Sequence, residues 1–178
     1  MKRNLIPIYR NQDLYTLFYD QNEKVIYKIP FWKKNSISSV YLIVIALYII
    51  GFLLNGFYQN YSNVLLDIIL LILGIGIAYV TVDKIYQIYY EYEKKHPIIL
   101  DFSYLEECIY KGMKQSRIEI VVIVLSFLFA IVAFALFFIA NSIEPLIIGC
   151  LSTTVFLSFI YMKPFKRRKV IKEWSKKR

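Results

Sequence analysis

The sequence predicts an all-α polytopic membrane protein, with four transmembrane helices arranged as two helical hairpins and a small N-terminal cytoplasmic β-hairpin. Three observations predict it. Hydrophobic residues make up 58% of the 178-residue chain, and its mean hydropathy is +0.49, values that belong to the membrane class. Four apolar runs approach the roughly 20 residues that a helix needs to cross a bilayer core. All 22 Lys and Arg residues lie before the first run, between the second and third, or after the fourth.

Residues 1–35 form the cytoplasmic β-hairpin segment. The opening MKRNLIPIYRNQD is basic but has no apolar core and no small-residue cleavage site, so the first span is expected to serve as its own insertion signal. Leu14, Thr16, Phe18 and Asp20 then alternate with Tyr15, Leu17 and Tyr19. After the turn residues Gln21, Asn22 and Glu23, the residues Val25, Tyr27 and Ile29 alternate with Ile26 and Lys28. β-Branched and aromatic residues around a polar turn are the signal of a hairpin. A lone hairpin is marginal in water, so Leu5 to Tyr9 is a candidate third strand, and the connector or another protein is the candidate cover.

The membrane domain spans residues 36–163. Its runs are 39–57, with Ser36, Ser38 or Ser39 as N-cap, then 64–82, 118–140 and 145–162, the last opening on Pro145. The segment DKIYQIYYEYEKK has no Gly or Pro, and predicts that the second helix runs on from Val64 to Lys95, ended by His96-Pro97. Within the connector 83–117, Ser103 and Glu106 match a capping box. Leu105, Cys108, Ile109 and Met113 share a face of the helix that would follow, which predicts a helix lying at the inner interface.

Orientation follows from charge. Seven basic residues precede the first span, six lie between spans two and three, and nine follow span four, whereas the loops NGFYQNYSN and NSIE have none. The positive-inside rule then puts both termini in the cytoplasm. Residues 164–178 form a basic cytoplasmic tail. Without a nucleic-acid motif, its charge points to anionic lipid headgroups rather than nucleic acid.

Catalytic chemistry is not signalled. His96 is the only histidine and precedes a proline, with no Ser or Cys context for a triad. No spacing suggests metal ligands, no cofactor motif is found, and a non-enzymatic role is expected. Cys108 falls in a polar connector and Cys150 in an apolar run, which argues against a disulfide. The segment GIGIA, Gly74 to Ala78, lies within a span, where small residues let helices approach closely.

Polar residues near the outer face are the sharper candidates. Asn55, Asp67, Asn141 and Glu144 form a candidate partner-contacting cluster, or they are ordinary interfacial residues. Gly51, Gly74, Ala78, Ala130, Ala133 and Gly149 form small-residue faces. Such faces pack the helices on one another or dock a partner helix.

The order of elements, with Tyr15 to Tyr19 as one strand, Gln21 to Lys24 as a polar turn and Val25 to Trp32 as an aromatic-aliphatic strand before several spans, resembles the DUF443, or tandem five-transmembrane, family of Gram-positive bacteria. One departure is that four spans are read here, not five. The resemblance implies an integral membrane immunity protein that protects the producing cell from a membrane-depolarising toxin or bacteriocin. Its partner would be a cognate secreted toxin, with a second copy of the chain as a further candidate. The alternative from another class is an accessory subunit of a membrane transport or secretion complex, docking through the cytoplasmic hairpin and the second helix. A small membrane enzyme would need a polar site that the residues do not assemble.

Overall fold

A computed structural model describes residues 5–11, 15–30, 37–90, 95–99 and 101–176. The fold is mostly helical. In chain order it comprises β1 (Leu5–Asn11), β2 (Tyr15–Asp20), β3 (Ile26–Pro30), α1 (Ile37–Tyr61), α2 (Val64–Tyr89), β4 (His96–Ile98), α3 (Phe102–Ala140), α4 (Ile143–Tyr161) and α5 (Pro164–Lys176). Three stretches are long and apolar enough to cross a membrane: Val64–Gln87, Ser103–Ala140 and Ile143–Trp174. The chain divides into two compact units, one built from Met1–Lys33, Lys84–Val122 and Ser158–Arg178, the other from Lys34–Asp83 and Ile123–Leu157.

The first unit holds an antiparallel sheet of order β1-β2-β3-β4. The expected hairpin is its centre. In its turn, Asp20 Oδ1 accepts hydrogen bonds from the backbone N–H of Asn22 and Glu23, and Lys24 adopts a left-handed φ of 56°. An aspartate that bonds its own backbone two residues on is a standard way to fix such a turn. Leu5 to Tyr9, the candidate third strand, is ordered as part of β1. The fourth strand comes from the connector, with Ile26 opposite Ile98 and Lys28 opposite His96.

Both faces of the sheet are covered. Side chains alternate along a strand, yet the consecutive residues Thr16, Leu17 and Phe18 are all buried, as are Ile6, Pro7 and Ile8. One cluster joins Leu5, Phe18, Tyr27 and Ile29 to Tyr86 and Tyr90 from the connector side of the chain. There the Phe18 and Tyr90 rings meet edge-on at 5.2 Å, a favoured aromatic geometry. The cover is therefore internal.

Three expectations about the connector are corrected. Helix α2 ends at Tyr89 rather than Lys95, and His96 belongs to a strand; Glu91 to Lys94 lie outside the described residues. The helix after Pro97 does not lie apart at an interface, because it is the start of α3, which runs unbroken for 39 residues. Its cap is Asp101, whose carbonyl accepts the first helical bond from Leu105 and whose carboxylate accepts from the Ser103 hydroxyl. The Ser103 box is thus not the helix start. The tail folds as α5, and Pro164, Arg167, Val170 and Ile171 form its buried face.

The second unit contains α1 and the apolar parts of α2, α3 and α4. Helix α1 places Ser38 and Ser39 inside the helix, while the third candidate cap, Ser36, lies outside the described residues. Asn63 caps α2, its Oδ1 accepting from Leu66 N at 2.8 Å. Helix α4 begins at Ile143, two residues before Pro145. The proline still sits in the first turn, where its missing N–H has no intrahelical partner to lose. A core cluster of Tyr58, Phe137 and Leu146 is ringed by Leu66, Leu70, Phe134 and Cys150.

Candidate functional site

In the second unit the four polar candidates divide. Asn55 Oδ1 accepts from Ile143 N at 3.1 Å, so a side chain from α1 caps the first turn of α4. Asn141 has a left-handed φ of 52° just past α3, a position where asparagine is the usual substitute for glycine, and its Nδ2 donates to Ser62 Oγ at 2.9 Å. Asp67 is buried at 5% exposure and accepts from the Tyr58 hydroxyl at 2.7 Å. Glu144 is half-buried in the first turn of α4. Asn55, Asn141 and Asp67 thus make their contacts inside the chain. Tyr58, which sequence reasoning missed, is the key to Asp67: it also stacks on Phe137 with ring centres 5.7 Å apart.

The small residues are at close contacts between helices of this unit. Adding a Cβ at Gly51 would overlap Ile147, at Gly74 the Cys150 sulfur, and at Gly149 the Phe134 ring. Ala78, Ala130 and Ala133 are buried.

In the first unit the structure assembles a polar site that the sequence did not mark. It is built on the outer edge of β1. An edge strand leaves alternate backbone groups unpaired, here those of Leu5, Pro7 and, past the bulge where Ile8 has no partner on β2, Arg10. Each is met by a side chain. Lys163 Nζ donates to Leu5 O at 3.0 Å. Arg167 Nε donates to Pro7 O at 2.7 Å, and proline has no N–H at that position to leave unsatisfied. Gln115 binds Arg10 twice, its Oε1 accepting from Arg10 N at 3.2 Å and its Nε2 donating to Arg10 O at 2.7 Å.

Two further features complete this edge. Gly112 of α3 faces the bulged Ile8, where a Cβ would overlap the carbonyl oxygen. Arg167 Nη1 lies 3.2 Å from Glu119 Oε1, with the arginine side chain only 1% exposed. Glu119 Oε2 is buried and has no hydrogen-bond partner among the described residues. Beside this pair opens a cavity of about 340 Å³ lined by Arg10, Gln115, Ile118 and Glu119.

The sequence held one signal for this site. Pro164, Arg167, Val170, Ile171 and Trp174 recur at helical spacing, so Arg167 occupies the apolar stripe of an otherwise basic helix. Among the described residues, no group of three or more His, Cys, Asp and Glu side chains is placed to hold a metal ion. Comparison with protein-family models, with curated proteins and with solved structures found no match.

Proposed function

We propose that the chain is a multi-pass protein of the bacterial cytoplasmic membrane. Four spans, with α1 as the first, pair as two helical hairpins, and both termini are cytoplasmic. It acts by binding rather than catalysis, as an immunity protein that engages the membrane-inserting segment of a depolarising toxin or bacteriocin. The likeness of its N-terminal region to the DUF443 family supports this reading.

The observation that carries it is the apolar helical surface the chain leaves open. Only 11% of the most apolar window of Val64–Gln87, 22% of that of Ser103–Ala140 and 11% of that of Ile143–Trp174 are buried within the chain. Without lipid or another helix, such surface would stay in water at about 25 cal/mol per Å². Because Asn55, Asp67 and Asn141 bond within the chain, recognition falls to these helical faces rather than to an outer polar cluster. Glu144 remains the polar candidate at the rim.

The test is co-expression with a candidate membrane-depolarising toxin or bacteriocin, reading membrane potential with a voltage-sensitive dye. Cells carrying the protein should hold their potential. Equal depolarisation with and without it would refute the immunity role.

One observation favours the accessory-subunit reading. The first unit has a covered four-stranded sheet and a core of its own, more structure than an intramembrane toxin trap requires. Isolation of a stable complex with a transport or secretion component from toxin-free cells would support that reading and count against immunity.

A further inference from the structure

The exposed flanks of α3 and α5 form a basic surface that the sequence divides between the connector and the tail. The two helices pack directly in the first unit. Ser116 Oγ donates to Pro164 O at 3.3 Å, Arg167 pairs with Glu119, and Ile171 lies against Gly112. Gly112 and Ser116 meet Ile171 and Pro164 in reverse order, so the helices run antiparallel. Arg117 and Phe165, next along the chain from the Ser116–Pro164 contact, flank the same seam. Lys114 and Arg117 share a face of α3 by their three-residue spacing, and Phe165, Arg168 and Lys169 share a face of α5.

The structure sorts the basic residues of these helices into two groups. Lys163 and Arg167 bond to Leu5 O and Pro7 O, and Lys111 pairs with Glu107. Lys114, Arg117, Lys166, Arg168 and Lys169 are exposed, with no hydrogen bond or ion pair among the described residues. The one acidic residue of α5 is Glu173, so the surface is net positive. Phe165 stands among these charges at 63% exposure. Because the apolar face of α5 is buried within the chain, the helix presents charge and one aromatic ring to its surroundings.

Position along the helices selects the partner. Arg117 lies three residues before Ile120, after which α3 carries no charge to Ala140, a rise of about 4.5 Å. Phe165 follows the end of α4 at Tyr161 by four residues. In helices that cross a bilayer, this is the level of the headgroups, which take both basic side chains and an aromatic ring.

We propose that the joint α3–α5 surface docks on an anionic lipid bilayer, with Lys114, Arg117, Arg168 and Lys169 facing headgroup phosphates and Phe165 seated between headgroups. The inference rests on the membrane reading with the basic segments cytoplasmic, and on neither the immunity nor the accessory role. It differs from attraction of the tail alone, since α3 supplies part of the charge while Lys163 and Arg167 supply none.

The test uses the full chain in nanodiscs of phosphatidylcholine, with or without phosphatidylglycerol. A single reporter is made by Phe165→Trp with Trp32→Phe and Trp174→Phe. With phosphatidylglycerol its emission should shift to the blue and be quenched by brominated lipid, and added salt should reverse both. Lys114→Gln with Arg117→Gln should lower the docked-to-free ratio about fivefold per charge removed, as should Arg168→Gln with Lys169→Gln. Lys24→Gln, in the hairpin turn, should leave it unchanged. An unchanged melting temperature verifies each fold. If a Gln pair melts early, Arg117→Lys with Arg168→Lys, which keeps the charge, should dock as the parent does. No response to phosphatidylglycerol would overturn the proposal, as would loss from the α5 pair but not the α3 pair. A response to added polyglutamate in its place would assign the surface to an acidic protein segment and overturn it too. Release of the chain from membranes by alkaline wash would refute the membrane reading itself, whereas an integral chain indifferent to phosphatidylglycerol refutes the docking alone.

Discussion

Arg167 and Glu119 form an ion pair between α5 and α3, Nη1 to Oε1 at 3.2 Å, with only 1% of the arginine side chain and 13% of the glutamate side chain exposed. Taking two such charges out of water costs several kcal/mol each, and their attraction must offset it. The pair is therefore weak evidence of net stabilisation and strong evidence of mutual dependence. Arg167 also donates to Pro7 O, so one side chain ties three segments of the first unit together.

Removing one partner should be costly. Arg167→Met leaves Glu119 without its cation and Pro7 O without its donor, and should destabilise the first unit by about 3–5 kcal/mol. Glu119→Leu should cost a similar amount by stranding Arg167. The double variant should cost clearly less than the two single losses together. Denaturant unfolding followed by tryptophan emission is a fitting readout, since Trp174 packs edge-on against Tyr19 at 4.9 Å. Additive losses would show that the two residues are not coupled.

Gly112 makes a sharper prediction, because the atom it approaches is backbone. Gly112→Ala places a methyl group against the Ile8 carbonyl oxygen, and neither the bulged strand nor α3 can yield without shifting others. A loss of about 1–3 kcal/mol is expected. Gly76→Ala is the control, since a Cβ there meets nothing within 4 Å; it should be neutral or mildly stabilising. At Gly51 the obstacle is the tip of Ile147, a flexible side chain, so Gly51→Ala should fall between the two. Thermal melts of the three purified variants give the ranking, and a Gly112→Ala melt equal to that of Gly76→Ala would contradict the close approach.

These residues also show what the sequence could reveal. The hairpin was legible because alternation over Tyr15 to Ile29 is a period-2 pattern with a polar turn. Strand β4 was not, because His96–Ile98 is three residues long and too short to carry a period. Helix α3 was read as two pieces because its first four turns are polar; yet no proline interrupts it, and its one glycine, Gly112, answers a packing need. Arg167 was hidden among seven other basic residues of the tail, where charge density masked an apolar face. The contacts of Asp67 and Asn55 were illegible for a different reason. Their partners, Tyr58 and Ile143 N, are set by how helices of the second unit pack, which periodicity does not specify.

Tyr58 and Asp67 separate a structural role from partner recognition. Tyr58→Phe removes the hydroxyl donor and leaves a buried carboxylate oxygen unsatisfied, at a cost of about 1–3 kcal/mol. Asp67→Asn keeps an acceptor for the same hydroxyl and should cost less. In the toxin co-expression assay, protection by both variants should follow the amount of folded protein in the membrane. If Asp67→Asn were folded at wild-type level yet unprotective, Asp67 would be a contact residue after all.

Topology offers the last prediction. With every Lys and Arg confined to the N-terminal segment, the connector and the tail, the free energy of insertion favours keeping those segments on the cytoplasmic side. In the proposed orientation, the exposed face of α5, which carries Lys166, Arg168 and Lys169, would meet the negative potential of the inner leaflet, worth about 1 kcal/mol per basic residue near the surface. In a variant lacking Cys108 and Cys150, a membrane-impermeant maleimide should label Gln59→Cys, at the exposed end of α1, in intact cells. Lys169→Cys should label only after permeabilisation. Labelling of Lys169→Cys in intact cells would reverse the orientation, and would place the sheet and its β1 edge on the side from which a secreted toxin arrives.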